Sequence, residues 1–361
     1  MRTAPPLEHS SARKNRRSQE RLYYLDILNI LAILGVLFLH HNGIVHTYSN
    51  SSSWAQSLIV KCIFYYSVPL FLMITGATLL GYRKRYDTKT FFKKRFMKIL
   101  IPLICWSALM MLWDVFITRS VNMPTSFASF FNMFMYSKFN SIYYFMFVIL
   151  GIYITIPTLS PLSENKNRGI LKYTIVAFFV LNTLIPDLLQ FTQLSVNPNL
   201  KLQLAGWIIL PLVGYYLNTT SFSKRQRILI YLLGAASVAY HFLITYCLST
   251  SSGILKTPAS DYGQFHVILS TSAVFVFFKN LRLKLSPRAS GALKTLAGCS
   301  FGIFLCHILI MHYESAIIRH AFGLQTSSWI YRLLCPFLTY ALCVGLVLIL
   351  KKIPFLRRIV P

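Results

Sequence analysis

The chain has 361 residues, of which 55% are hydrophobic and only 12% charged, and its mean hydropathy is +0.56. A soluble domain carries roughly 25% charged residues, so the composition excludes a water-soluble globular protein and leaves no room for a large soluble domain. The formal net charge of +27 does not point to nucleic acid, because the basic residues fall in alternate loops, where they set topology and attract anionic lipid.

Residues 1–20 are polar and basic, and are expected to form a disordered cytoplasmic tail. The first apolar segment then carries Asp26, Asn29 and His40. Their offsets of 0, 3 and 14 share one face at 3.6 residues per turn. Asn29 to His40 is a rise of roughly 16 Å at 1.5 Å per residue, about half of a ~30 Å hydrocarbon core. Ionisable groups in a membrane helix are costly and usually face a bundle interior or a wet cavity. This helix is therefore expected to line a site. No small-residue cleavage pattern follows it, so it reads as a signal anchor that is retained.

Ten candidate spans run along the chain, at 22–42, 57–80, 96–117, 142–160, 170–187, 202–217, 228–247, 264–279, 297–317 and 329–350. Three of them are short: 170–187, 202–217 with Pro211 inside, and 264–279. A comfortable span takes about 17–25 residues. With the N-terminus in the cytoplasm, 29 of the 36 Lys and Arg lie inside, and only Lys61, Arg119, Lys138, Lys201, Lys256, Arg319 and Arg332 lie outside. The positive-inside rule is strongly obeyed. It requires an even count with both termini cytoplasmic, and fits eight spans as well as ten. The expected fold class is all-α: a polytopic helical bundle of about ten transmembrane helices over 21–352, with a short cytoplasmic tail at 353–361. Neither a fixed-period repeat nor a matched pair of Gly/Pro-interrupted short helices is visible, which weighs against alternating-access transport.

This topology sorts the polar residues by depth. His40 lies near the outer end of the first span, and Asp114 of the third lies at about the same level. In the ninth span Ser300, His307 and Glu314 follow one another at i, i+7 and i+14 on one face. A histidine with a carboxylate at the same depth is a base-and-orienter pair, because the carboxylate fixes the tautomer and stabilises imidazolium. Asp114 and Glu314 are the acids at the level of His40. His41, His46, His312 and His320 read as interfacial, and His241 and His266 as hydrogen-bonded packing residues. All seven cysteines lie within or beside apolar segments, and none forms a C-x-x-C pair. They are expected to be small packing residues, with neither disulfides nor a metal site.

The loop from Tyr82 to Trp106 is rich in Arg and Lys, which bind phosphates by charge-assisted hydrogen bonds. Arg95 and Lys98 lie where it enters the third span and are the best placed to meet a phosphorylated cytosolic ligand. There is no Walker loop and no G-x-G-x-x-G, so a nucleotide would not be held in a P-loop or Rossmann manner.

Five stretches together resemble the acyltransferase 3 family of integral-membrane acyltransferases, and are most similar to its bacterial surface-polysaccharide O-acetyltransferase branch. They are the first span, Tyr24 to Ala32 with His40; Ser67 to Gly76; Phe92 to Pro102; Tyr143 to Pro157; and Ser300 to His307. Asp26 and His40 match the family's opening pattern. Asn29 stands where the family usually has Arg, and Thr75 where Ser is commoner.

The resemblance implies transfer of an acyl group, usually acetyl from cytosolic acetyl-CoA, to a hydroxyl of a cell-surface glycan or lipid-linked sugar at the bacterial plasma membrane. It implies no metal and no nucleic acid; membrane lipids are the surroundings. His40 would be the essential histidine, as general base or as acyl carrier, with Asp114, Glu314 and His307 as its acid–base company. Asn29, Arg95 and Lys98 would face the donor; either Arg95 or Lys98 would supply the charge that Asn29 lacks, or the donor sits differently. A polysaccharide or lipid-linked sugar exporter without acyl chemistry would present similar polar stripes.

Overall fold

The computed structural model describes residues 8–361 except 195, 196, 198 and 205, with side chains from Tyr23 onward. The basic tail read over 1–20 falls outside the residues whose side chains are described. Among the described residues the secondary structure is helical throughout, without a strand. Among the described residues each of the ten apolar segments contains helix, that of 202–217 beginning only at Gly206. Eight helical stretches are long and apolar enough to cross a membrane. The other two segments form the short helices α9 (Ile209–Thr219) and α11 (Phe265–Asn280), 11 and 16 residues long. The segment read at 170–187 belongs instead to a longer helical stretch, Asn165–Leu189, carried through a π turn at Phe179–Leu184.

The chain divides into two compact units. Unit 1 comprises Met1–Ala77, Ile175–Ser300 and Gln325–Pro336. It holds α1 (Glu8–His40), α2 (Ser52–Phe64), most of α3 (Ser67–Leu79), α8 (Ile185–Leu189), α9, α10 (Lys224–Ser252) and α11. α10 packs along α11 and against α2, while α1 packs against α2 and α11. Val45, Trp54, Leu58 and Cys62 are buried here against Val238, Phe242 and Tyr246 of α10. Ser51 caps α2 by accepting from the Trp54 amide at 3.2 Å. α10 opens on a reciprocal Ser223/Gln226 capping box and ends at Gly253 with φ +70°, a left-handed position that suits glycine. Lys279 donates to the Leu217 and Thr220 carbonyls at 2.5 and 2.6 Å, satisfying the end of α9. At the crossing of α3 and α9, a Cβ on Gly76 would strike the backbone of Pro211, and one on Gly214 would strike the backbone of Met73. Glycines at this crossing let the two backbones touch.

Unit 2 comprises Thr78–Thr174, Phe301–Leu324 and Phe337–Pro361. It holds α4 (Thr88–Trp113), α5 (Phe127–Met135), α6 (Tyr144–Leu159) and most of α7 (Arg168–Phe178). It also holds the C-terminal parts of α12 (Pro287–Phe322) and α13 (Trp329–Lys352). α4 packs against α6. Tyr143 donates to the Leu305 carbonyl at 2.9 Å, and the Phe145 and Phe304 rings meet edge to face at 5.6 Å. The stretch after α13 is packed too: Trp106 Nε1 donates to the Ile359 carbonyl at 2.9 Å, and Val360 is fully buried.

Candidate active site

The C-terminal end of α1 is built to display one imidazole. His41 is 3% exposed, and its Nδ1 meets the Leu37 carbonyl at 2.9 Å. Asn42, 0% exposed, donates from Nδ2 to the Ser57 carbonyl at 2.7 Å. Arg332 is also buried; it donates to the Ser53 carbonyl and hydroxyl at 3.2 and 3.3 Å, while its neighbour Tyr331 packs against His41 at 5.4 Å. His40, one residue earlier, is exposed. The neighbours are locked and the histidine is presented. His41, read as interfacial, proves to be a buried anchor.

At the other end of the predicted stripe, Asn29 turns its amide back to the Leu25 carbonyl at 3.0 Å. Its donor capacity is partly consumed within its own helix. The cation whose field reaches Asp26 is Lys294 of α12, in the same unit. Sequence reasoning did not single out Lys294, because only folding brings α12 to the start of α1.

Along α12, Ser300, His307 and Glu314 are 4%, 0% and 4% exposed, so the predicted common face is the buried one. His307 Nδ1 meets the carbonyls of Ile303 at 3.1 Å and Phe304 at 2.9 Å. Two carbonyl acceptors require a proton on Nδ1, which makes Nε2 the basic nitrogen of the neutral ring. Glu314 Oε2 accepts from Thr339 at 3.1 Å. Asp114 ends α4 and opens a π turn, Asp114–Thr118. Its backbone carbonyl accepts from Thr118 Oγ1 at 3.2 Å and from the Ser120 amide at 3.0 Å, and a longer contact of 3.5 Å links its carboxylate to Thr118 Oγ1. Asp114 is thus bound into its own turn. His40 belongs to unit 1, and Asp114, His307 and Glu314 belong to unit 2.

The basic loop of unit 2 converges on Tyr86. Arg95 Nη2 donates to the Tyr86 hydroxyl at 3.3 Å, while Lys94 and Arg85 lie over its ring at 4.8 and 5.6 Å. The charges of Arg95 and Lys351 both reach Lys98. Among the described residues neither Arg95 nor Lys98 has a carboxylate partner, and Arg95 Nε is buried without an acceptor. Asp87 caps the helix that carries them, and hydrogen bonds from Thr90 hold its carboxyl below the usual carboxylate range. Cations gathered in this way have the chemistry that phosphates bind. Tyr86, to which the sequence reading gave no role, is the hub of this cluster. Among the described residues no group of three or more His, Cys, Asp or Glu is placed to hold a metal ion.

The described residues form a multi-pass helical protein with an exposed histidine at the end of α1 and a cluster of cations around Tyr86. The family model for the acyltransferase 3 family, described as an acyltransferase domain, matches residues 22–348. The chain belongs to that family and is a membrane acyltransferase. No curated protein and no solved structure matches it.

Proposed function

We propose that this acyltransferase moves an acetyl group from cytosolic acetyl-CoA to a hydroxyl of a cell-surface glycan or lipid-linked sugar at a bacterial plasma membrane. The observation that carries the reading is the exposed His40 beside the locked His41 and Asn42. In direct transfer, His40 takes the proton of the acceptor hydroxyl as its oxygen attacks the thioester carbonyl; the C–S bond then breaks and the thiolate recovers a proton from imidazolium. With His40 as acyl carrier, the ring nitrogen attacks the thioester first and the C–S bond breaks to release the CoA thiolate. The acceptor hydroxyl then takes the acetyl group as the N–C bond breaks, and its proton passes to the freed imidazole. The cations around Tyr86 suit the CoA phosphates. Lys294 supplies positive charge near Asp26, close to where Asn29 supplies none.

Membranes bearing the protein and its native acceptor, supplied with labelled acetyl-CoA, test this. Wild type should release free CoA and label a glycan. His40→Ala should drop both by at least about 100-fold, the scale of a lost acid–base group. Equal turnover by the two proteins refutes the role of His40. Glycan crossing the membrane without CoA release favours the exporter.

A further inference from the structure

Unit 1 contains a second polar constellation that the transfer reading does not use. His241 of α10 and His266 of α11 are each 2% exposed, and their rings meet edge to face at 4.9 Å. They were expected to be hydrogen-bonded packing residues. They pack, but His241 Nε2 and both nitrogens of His266 lack hydrogen-bond partners; the Ala259 backbone approaches His266 without completing a bond of normal geometry. The adjoining Thr245 Oγ1 is buried and, among the described residues, unpartnered as well. A buried polar atom without a partner costs about 1–3 kcal/mol, and four of them gathered in one packed region of α10 and α11 call for a polar occupant.

The charge of the region indicates which kind. Lys61 of α2 donates to Ser260 Oγ at 3.3 Å and lies over the Tyr65 ring at 5.7 Å. Among the described residues it has no carboxylate partner, and its charge reaches His241. Tyr65 joins the parts: its ring meets His241 at 4.8 Å, and its hydroxyl donates to the Ser260 carbonyl. The two acids nearby are already engaged. Asp187 accepts from the Phe265 amide at 3.0 Å and from Gln264 at 3.3 Å. Asp261 Oδ1 accepts from the Gly263 amide at 2.6 Å and from Trp207 Nε1 at 3.4 Å. Among the described residues the lysine and the two imidazoles make no ion pair with a carboxylate.

Aromatic rings continue the cluster toward solvent. Tyr262 lies 4.8 Å from Tyr65, and Trp207 lies 5.4 Å from Tyr262. Both rings are partly exposed, beside the exposed Asp261. Rings with an apolar body and a polar rim suit a ligand that offers C–H faces and hydroxyl edges.

We propose that Lys61, His241 and His266, with Tyr262 and Trp207, form an anion-recognising subsite for the acceptor, so that the sugar acylated here carries a carboxylate or phosphoryl group. The anion accepts from the Lys61 ammonium and from one N–H of each imidazole, while the sugar ring lies against Tyr262 and Trp207. This rests on the acceptor being a glycan.

Binding measured without donor separates the two readings. The full chain, held in neutral phosphatidylcholine nanodiscs, is titrated by equilibrium dialysis with labelled glucuronate, glucose 1-phosphate and glucose. At least one of the two anionic sugars should bind at least 10-fold more tightly than glucose. Lys61→Gln should remove that preference, Lys61→Arg, which keeps the charge, should retain it, and Tyr262→Ala should weaken the binding of all three sugars. Equal binding of all three sugars overturns the proposal, as does a preference that survives Lys61→Gln. A preference equally well competed by phosphatidylglycerol headgroup would instead assign Lys61 to lipid and overturn it too. Anion preference in a protein that releases no CoA supports the subsite and refutes acyl transfer.

Discussion

One amide carries much of the geometry at the end of α1. Asn42 Nδ2 donates to the Ser57 carbonyl at 2.7 Å in a wholly buried setting. Asn42→Leu conserves approximate size but leaves that carbonyl without its donor. The expected cost is about 1–3 kcal/mol, read as a lower unfolding temperature in detergent. Turnover should fall as well, because the backbone that presents His40 loses its tether to α2. An unchanged melting temperature would show that the bond carries no weight. The stripe of Asp26, Asn29 and His40 was legible from helical period alone, and so was the buried face of Ser300, His307 and Glu314. The partners were not. Lys294 near Asp26, Tyr331 against His41 and the contact of His241 with His266 all join residues far apart in sequence, and period within one helix is silent about them.

Among the helices, glycine placement separates contact from mere flexibility. Gly76 and Gly214 are reciprocal: each faces backbone of the opposite helix, at Pro211 and Met73. Gly151 of α6 has nothing within 4 Å of the position its Cβ would take. Gly76→Ala or Gly214→Ala should therefore cost about 1–3 kcal/mol through overpacking. Gly151→Ala should be neutral or gain up to ~1 kcal/mol from helix propensity. Thermal melts of the three variants check the contrast, and similar shifts in all three would refute the close crossing. Hydropathy found each of these helices, because apolar length is written in composition. It could not find the crossing, since an isolated Gly in an apolar run looks the same whether or not a second backbone lies against it. Nor could it settle how far 170–187 extends: polar flanks and a π turn lengthen that helix beyond its apolar stretch.

For the molecule as a whole, the family match over residues 22–348 makes this an acyltransferase, and the loop charges orient it. With Arg83, Lys84, Arg85 and Lys89 in one loop and a lone Lys256 in another, the positive-inside rule puts the first loop in the cytoplasm. In a cysteine-free background, an impermeant maleimide applied to intact cells should label a cysteine replacing Lys256 and spare one replacing Lys89. The reverse pattern would invert the orientation and move the cations around Tyr86 away from a cytosolic donor.

The short helices of unit 1 bear on the surrounding lipid. α9 has 11 residues and α11 has 16, which at 1.5 Å per residue are roughly 16 and 24 Å long. Neither reaches across a ~30 Å hydrocarbon layer, and a bilayer meets such a mismatch by thinning. A bilayer that thins to match α11 would be shallower there than elsewhere. A charged sugar reaching His266 on α11 would leave water for a shorter stretch of low dielectric, and so would give up less hydration energy on the way in.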